Sequence, residues 1–339
     1  MEKDKILSGI LGFCVGDALG VPVEFSNRAS LIQDPVVDMR GYGTYDQPPG
    51  TWSDDTSMVL CFLDSFIEKG FLSLSDIMDK YLLWMNKSEY TPYNVMFDIG
   101  TTTRKVLQSY IEKRDDFIIS ETANKPYVLG CESEYDNGNG SLMRILPLAF
   151  LINSPSFAKS IVEWRTSGYA DWGIAGYISF ISAMTHAHPR SGIACVIYTF
   201  IADGLINGSD ISVAVKSGLD RAKKHYNSDL ELQHYHRLFD ENFDHFVQAP
   251  QESIKSSGYV VDTLEAALWC LLTTTDYKSC VLKAVNLGGD TDTIAAVAGG
   301  LAGIHYGLNA IPKKWINQIP RLDYIEKLCT EFYYTANKL

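Results

Sequence analysis

The sequence predicts an all-α protein, a compact, irregular multi-helix single domain over residues 1–339. Three observations lead there. Apolar residues recur at helical spacing along most of the chain. Strand-like alternation is confined to "GYVVDT". Gly, Pro, Asn and Asp punctuate the gaps between helical patterns, with no repeat, low-complexity run or linker-like break. Ile6, Ile10, Phe13 and Val15 begin the first helix, and Met58, Cys61, Phe62, Ser65 and Phe66 mark one after "GTWSDDT". Further helices are expected over 75–86, 98–112, 141–152, 155–166, 171–186, 190–206, 210–224, 229–245, 261–273, 276–286, 292–305 and 312–317, with a last near 320–337.

Composition narrows the function classes. The 339 residues are 46% hydrophobic and 21% charged, ordinary for a globular chain with a substantial core. A net charge of −12 leaves no large basic face, so nucleic acid is not an expected partner. The seven cysteines form no CxxC pair, and their apolar surroundings predict free thiols in a reducing compartment. The N-terminus lacks signal-peptide features, and no unbroken run of 18 apolar residues occurs, so no membrane span is expected. The expectation is a cytoplasmic monomer.

Two acidic clusters carry the chemistry. Ser53, Asp54 and Asp55 precede one apolar helix, and Asp290, Asp292 and Thr293 head another, in "NLGGDTDTIAAVAGGLAG". One such cluster is readily a helix cap. A cap needs a single acceptor, however, and two clusters offer four carboxylates. A pair of divalent cations between the loops would use them all. Carboxylate and hydroxyl oxygens are hard ligands, suited to Mg²⁺ or Mn²⁺ rather than zinc.

Glu24, in "VGDALGVPVEF", lies among apolar neighbours that would raise its pKa and suit it to proton transfer; a surface glutamate after a turn is the alternative. Asp17 reads as structural, satisfying backbone donors at a helix end. The turn in "DNGNGSLMRILP" presents amides suited to phosphate oxygens but lacks P-loop spacing. His186, in "THAHPRS", ends a helix before Pro189. His225, His234, His236 and His245 read as a solvated face.

Taken together, "GFCVGDALGVPVEF", "GTWSDDTSM", "GNGSLMR", "THAHP" and "NLGGDTDTIAAVAGGLAG" resemble, in order, the motifs of the ADP-ribosylglycohydrolase family. The resemblance runs from about residue 5 to 310. It implies an all-α fold with two Mg²⁺ or Mn²⁺ ions held by Ser53, Asp54, Asp55, Asp290, Asp292 and Thr293. It implies catalytic roles for Glu24, Asp55 and Asp292. Asn139, Gly140, Ser141, Leu142 and Met143 would cradle the pyrophosphate and ribose of ADP-ribose, with His186 lining the nucleotide pocket. Asp98, in "FDIGTTTRK", stands where arginine-directed members carry a substrate-side aspartate. Ser53 replaces the more usual threonine but keeps the ligating hydroxyl.

The implied activity is release of ADP-ribose from an ADP-ribosylated protein or small molecule, with ADP-ribosyl-arginine the first choice. Serine-linked, poly- or small-molecule-linked ADP-ribose are the alternatives, as is a non-catalytic ADP-ribose-binding relative. Isoprenoid synthases also use acidic clusters, but they want DDxxD, and Asp54-Asp55 is followed by Thr56, Ser57 and Met58.

Overall fold

The computed structural model describes residues 2–122, 128–155, 157, 173–227, 229–240 and 243–338. Among them no β-strand forms; three isolated bridges are the only sheet-like pairing. The α-helices that position the site are α1 (Lys3–Gly20), α2 (Arg28–Gln33), α3 (Asp54–Lys69), α4 (Leu74–Lys87), α5 (Thr101–Thr122), α6 (Leu146–Leu151), α7 (Gly173–Ser182) and α8 (Pro189–Ile206). They are followed by α9 (Ile211–Tyr226), α10 (Asp244–Val247), α11 (Val260–Leu272), α12 (Tyr277–Val285), α13 (Thr291–Tyr306), α14 (Lys313–Ile316) and α15 (Leu322–Ala336).

The axis of the fold is the pair α1 and α13. A β-carbon on Gly12 would sit 2.5 Å from the Gly299 carbonyl oxygen, and one on Gly16 would sit 2.1 Å from that of Ala295. Gly303 likewise abuts the Ser8 carbonyl, at 2.2 Å. The contacts step four residues up one helix as they step four down the other, so the helices are antiparallel and their backbones touch. Small residues in "AAVAGGLAG" and "GILGFCVGDALG" make that approach feasible, since any side chain between the helices would force them apart. The end of α1 therefore meets the start of α13, which is what brings Glu24 to Asp290 and Asp292.

Helix α3 joins the same junction because Asp17, one turn before the end of α1, accepts from Ser53 N (2.9 Å), Thr56 N (3.0 Å) and Thr56 Oγ1 (2.6 Å). Three of the donors at the start of α3 are thus satisfied by a buried carboxylate of another helix, in addition to the local cap. Asp17 has the structural role its place in "GDALG" suggests.

Several expected boundaries shift. The segment 229–245 is not one helix but a 3₁₀ turn at Leu230–Tyr235 and the short α10. Of 141–152 only Leu146–Leu151 is α-helical, because Asn139–Ser141 forms a 3₁₀ turn first. "GYVVDT" starts α11, capped by a single bridge from Gly138 to Tyr259. The helix expected over 155–166 lies almost wholly outside the described residues. Helices α1 and α8 are long and apolar enough to cross a membrane by length and composition, although Asp4 and Asp17 interrupt the first. Both are largely buried inside the protein, where such composition also suits a core helix.

Candidate active site

Each acidic cluster is built by a helix start. Ser53 caps α3, its hydroxyl accepting from Asp55 N at 3.3 Å and donating to Asp55 Oδ2 at 2.9 Å. Asp290 precedes α13, and the turn before it uses Gly288 and Gly289, both at φ +75, where a residue with a β-carbon is strained. Backbone bonds tie that turn to the Glu24 segment: Phe25 N donates to Gly289 O (2.7 Å), and Gly289 N to Ser26 O (2.8 Å). Phe25 itself has φ +63, which for a bulky side chain costs roughly 1–3 kcal/mol and persists only under such constraint.

The carboxylates converge. Oxygens of Asp17, Asp55 and Asp292 lie within 4.8 Å of one another, and so do those of Glu24, Asp290 and Asp292. Thr293 Oγ1 bridges the two clusters, donating to Asp55 Oδ2 at 3.3 Å. Thr291 Oγ1 donates to Gly20 O at 2.8 Å, fixing the start of α13 on the end of α1. Asp54 turns to the side, where it receives the Gly100 N–H and faces Asp98 and Glu24.

These groups are buried among themselves. Burial, and then neighbouring carboxylates, push Asp54, Asp55 and Asp292 well above the usual carboxylate range. Burial raises Glu24 to about 8, with Asp98 and Asp290 adding to the shift, in keeping with the expectation from its apolar surroundings. Glu24 Oε2, Asp55 Oδ1 and Asp290 Oδ1 are buried and have no hydrogen-bond partner among the described residues. Unpaired buried acceptors cost about 1–3 kcal/mol each, more when charged. An all-oxygen donor set with three unmatched acceptors and no imidazole or thiolate fits a hard divalent cation.

The other expected residues fall into two groups. Asp98 stands beside the acids, its pKa raised by burial and by Asp290, with Tyr45 and the Ile99 N–H opposing the shift. Gly140 lies against His186, since a β-carbon on it would meet His186 Cε1 at 2.8 Å. Asn139 is committed elsewhere: its amide donates to Asp290 Oδ2 and to Thr263 Oγ1, both at 2.9 Å, so it holds an acid in place. Leu142 and Met143 are core residues, and the Ser141 hydroxyl accepts from Ser182 Oγ at 2.8 Å. His234 is no bare surface residue, since it pairs with Arg190 at 2.9 Å and Glu231 at 3.6 Å.

Tyr45 was not legible as a site residue. Its phenol interacts with both Glu24 and Asp98, and its ring packs on Phe97 at 4.9 Å. It sits in a 3₁₀ turn, Gly43–Tyr45, that no periodicity announces. Thr263, which steadies Asn139, lies on an unremarkable helix and was equally silent.

A helical scaffold that gathers carboxylates from three helix ends into one buried oxygen-donor centre defines a distinct class of protein. The model of one family, described as ADP-ribosylglycohydrolase, matches residues 1–338. The chain belongs to the ADP-ribosylglycohydrolase family and is an ADP-ribosyl glycohydrolase. It is 30% identical to "ADP-ribosylarginine hydrolase Tri1" of Serratia proteamaculans, over 98% of this chain and 80% of that protein. It is 33% identical to "ADP-ribosyl-[dinitrogen reductase] glycohydrolase" of Rhodospirillum rubrum, over 93% of this chain and 90% of that one. A solved structure described as an "ADP-ribosylglycohydrolase-related protein complex" superposes with a TM-score of 0.73 at 30% identity, covering 98% of each chain.

Proposed function

We propose that this enzyme hydrolyses the N-glycosidic bond between ADP-ribose and an arginine side chain of a protein, with Mg²⁺, or Mn²⁺ in its place, bound by Ser53, Asp54, Asp55, Asp290, Asp292 and Thr293. The observation that carries the reading is the convergence of buried carboxylates with unpartnered oxygens, next to a further aspartate, Asp98, across Tyr45. Two divalent cations bound there would supply Lewis acidity toward water and the ribose hydroxyls.

The chain's own residues do the rest. In hydrolysis the C1″–nitrogen bond breaks and a C1″–oxygen bond forms from water. Glu24 Oε2, without a hydrogen-bond partner among the described residues, receives the proton that the attacking water loses. Charge developing at C1″ is oxocarbenium-like, and the carboxylates around it favour that positive centre. The departing nitrogen keeps the electron pair of the broken bond and leaves as a guanidine, which takes up the proton that Glu24 gives back to solvent. Asp98 pairs with the guanidinium before departure and after that uptake, a charge-assisted contact that arginine makes in two-pronged form. The name of the Serratia relative supports arginine as the acceptor over serine, poly(ADP-ribose) or a small molecule, and that of the Rhodospirillum relative supports a protein as its carrier. We place the enzyme in the cytoplasm; all seven cysteines are free, which suits a reducing compartment.

The test is release of ADP-ribose from arginine-, serine- and nucleotide-linked substrates, with and without Mg²⁺. Mg²⁺-dependent release from the arginine adduct is expected, abolished in Asp290→Asn/Asp292→Asn. Full release in EDTA would sink the cation requirement, and preference for another linkage would sink the arginine assignment.

A further inference from the structure

Arg144 is a buried guanidinium without a carboxylate. Its side chain is 2% exposed, yet among the described residues it forms no ion pair. Nη1 donates to Gly140 O at 2.8 Å and to Thr185 Oγ1 at 2.7 Å. Among the described residues Nη2 has no hydrogen-bond partner, and the Tyr81 ring lies 5.5 Å from Cζ. A charge so placed is costly unless something outside the protein compensates it.

The hydrogen bonds around it have one consistent direction. A guanidinium only donates, so Thr185 Oγ1 is its acceptor. The Thr185 hydroxyl then has its own proton to place. The acceptor in reach is His186 Nδ1, 2.7 Å away. Thr185 is fully buried, so a hydroxyl proton left without an acceptor would be penalised. Nδ1 is therefore the accepting nitrogen, and the imidazole proton sits on Nε2. Burial and Arg144 both keep the ring neutral, drawing its pKa down to about 3.

The Nε2 edge faces the glycine turn. A β-carbon built on Gly140 would be 3.2 Å from Nε2 and 3.0 Å from Thr103 Oγ1; one on Gly138 would be 3.7 Å from Nε2. The Thr103 hydroxyl is itself buried and has no hydrogen-bond partner among the described residues. So a donor N–H, an unused hydroxyl and a nearby uncompensated cation meet at a turn where side chains are missing. All three favour an anionic, oxygen-rich group in a protein that is otherwise strongly acidic.

We propose that Arg144 is a positioning residue for the diphosphate of ADP-ribose, acting through Thr185 to fix His186 as an Nε2–H donor at the Gly138–Gly140 turn. This rests on the ADP-ribosyl hydrolase reading for the ligand, though not for the relay itself. Arg144 does not touch the ligand in this scheme. It sets the tautomer of the residue that does, and its charge strengthens that donor.

Thr185 is the better handle, because changing it leaves the buried charge in place. Nitrogen-15 NMR of histidine in the wild-type protein is expected to show His186 as the Nε2–H tautomer. Thr185→Val should mix the tautomers, weaken ADP-ribose binding about ten-fold by calorimetry, and raise KM more than it lowers kcat. Thr185→Ser should restore all three. An Nδ1–H tautomer in the wild type overturns the relay whatever the activity. A folded Thr185→Val protein with unchanged tautomer and affinity overturns it too. The Nε2–H tautomer with no binding of ADP-ribose refutes the ligand, and with it the hydrolase reading.

Discussion

Gly20→Ala tests whether helix packing, rather than the acids alone, builds the site. Gly20 has φ −83 and ψ −37, so alanine fits its backbone and any effect is steric. The added β-carbon would lie 2.3 Å from both N and Cα of Asp292. Ordinary contact needs about 1 Å more, and both neighbours are backbone, so α13 must retreat by that amount. The shift would strain the Thr291–Gly20 hydrogen bond and draw Asp292 away from Glu24 and Asp55. Overpacking of this kind costs about 1–3 kcal/mol of stability. A misplacement near 1 Å at a reacting centre costs about 100-fold in rate. Gly9→Ala is the control: on the same helix, its β-carbon would meet side chains rather than backbone, Ile304 Cγ1 of α13 and Phe150 Cζ of α6, both at 2.8 Å. The assay is kcat/KM for ADP-ribose release beside the rise in Tm on adding Mg²⁺. Gly20→Ala should lose about 100-fold in kcat/KM and most of the Mg²⁺-induced rise, whereas Gly9→Ala should lose stability with kcat/KM within about three-fold. If Gly20→Ala keeps its activity and its response to Mg²⁺, the packing argument is wrong.

The cation-free protein should lose stability as pH rises. Glu24 binds its proton more tightly folded than unfolded, so its contribution is complete below the unfolded value of 4.5 and is lost through about 8. At 1.36 kcal/mol per unit the full shift is worth roughly 5 kcal/mol; denaturant titrations in EDTA from pH 4.5 to 8.5 would measure it, and a flat or rising profile contradicts it. Excess Mg²⁺ should flatten the fall, since a cation favours the ionised acids. Asn139→Ala removes the donor that steadies Asp290 Oδ2, and should weaken Mg²⁺ binding about ten-fold by calorimetry; equal affinity would end its positioning role. Tyr45→Phe keeps the ring on Phe97 and deletes the phenol between Glu24 and Asp98. It should cut kcat/KM about ten-fold with Tm nearly unchanged, and an unaltered kcat/KM would show the phenol to be a bystander.

The helical class was legible because apolar spacing survives in any helix that buries a face, and the acidic loops because carboxylates beside dry helices are hard to explain otherwise. What stayed hidden depends on distance in the fold. Asp17 could be read as structural from "GDALG", but nothing there says that its acceptors serve Ser53 and Thr56. Asn139 is implied as a ligand contact by the family motif it belongs to, but nothing in that motif says that its amide also reaches Asp290, 151 residues away in the chain. The helix expected over 229–245 failed for a related reason: its apolar residues pack against α8 and α11 through short turns, and a helix is not needed to bury them. Tyr45 belongs to no periodic pattern, and Arg144 closes the "GNGSLMR" motif without any sign of what it touches; the roles of both come from what the chain folds against them.

The charge balance at the junction of α1, α3 and α13 explains why the site takes the form it does. Two helix N-termini point there, each equivalent to roughly half a positive charge. Asp17 is matched by three donors from α3 and its N-cap. Glu24, Asp54, Asp55, Asp290 and Asp292 remain, and the strongest charges acting on Asp54, Asp55 and Asp292 are other carboxylates. Without cations the site lowers its charge by holding protons, which is what the raised Glu24 expresses. Two divalent cations would supply about four positive charges and release those protons, so binding should expel protons in a pH-dependent number. That number separates the two states of the site: calorimetry in buffers of different ionisation enthalpy should report proton release on Mg²⁺ binding near neutral pH, shrinking as pH climbs past 8. Binding without proton release would mean that the acids are already ionised in the empty site, and that burial does not hold them protonated.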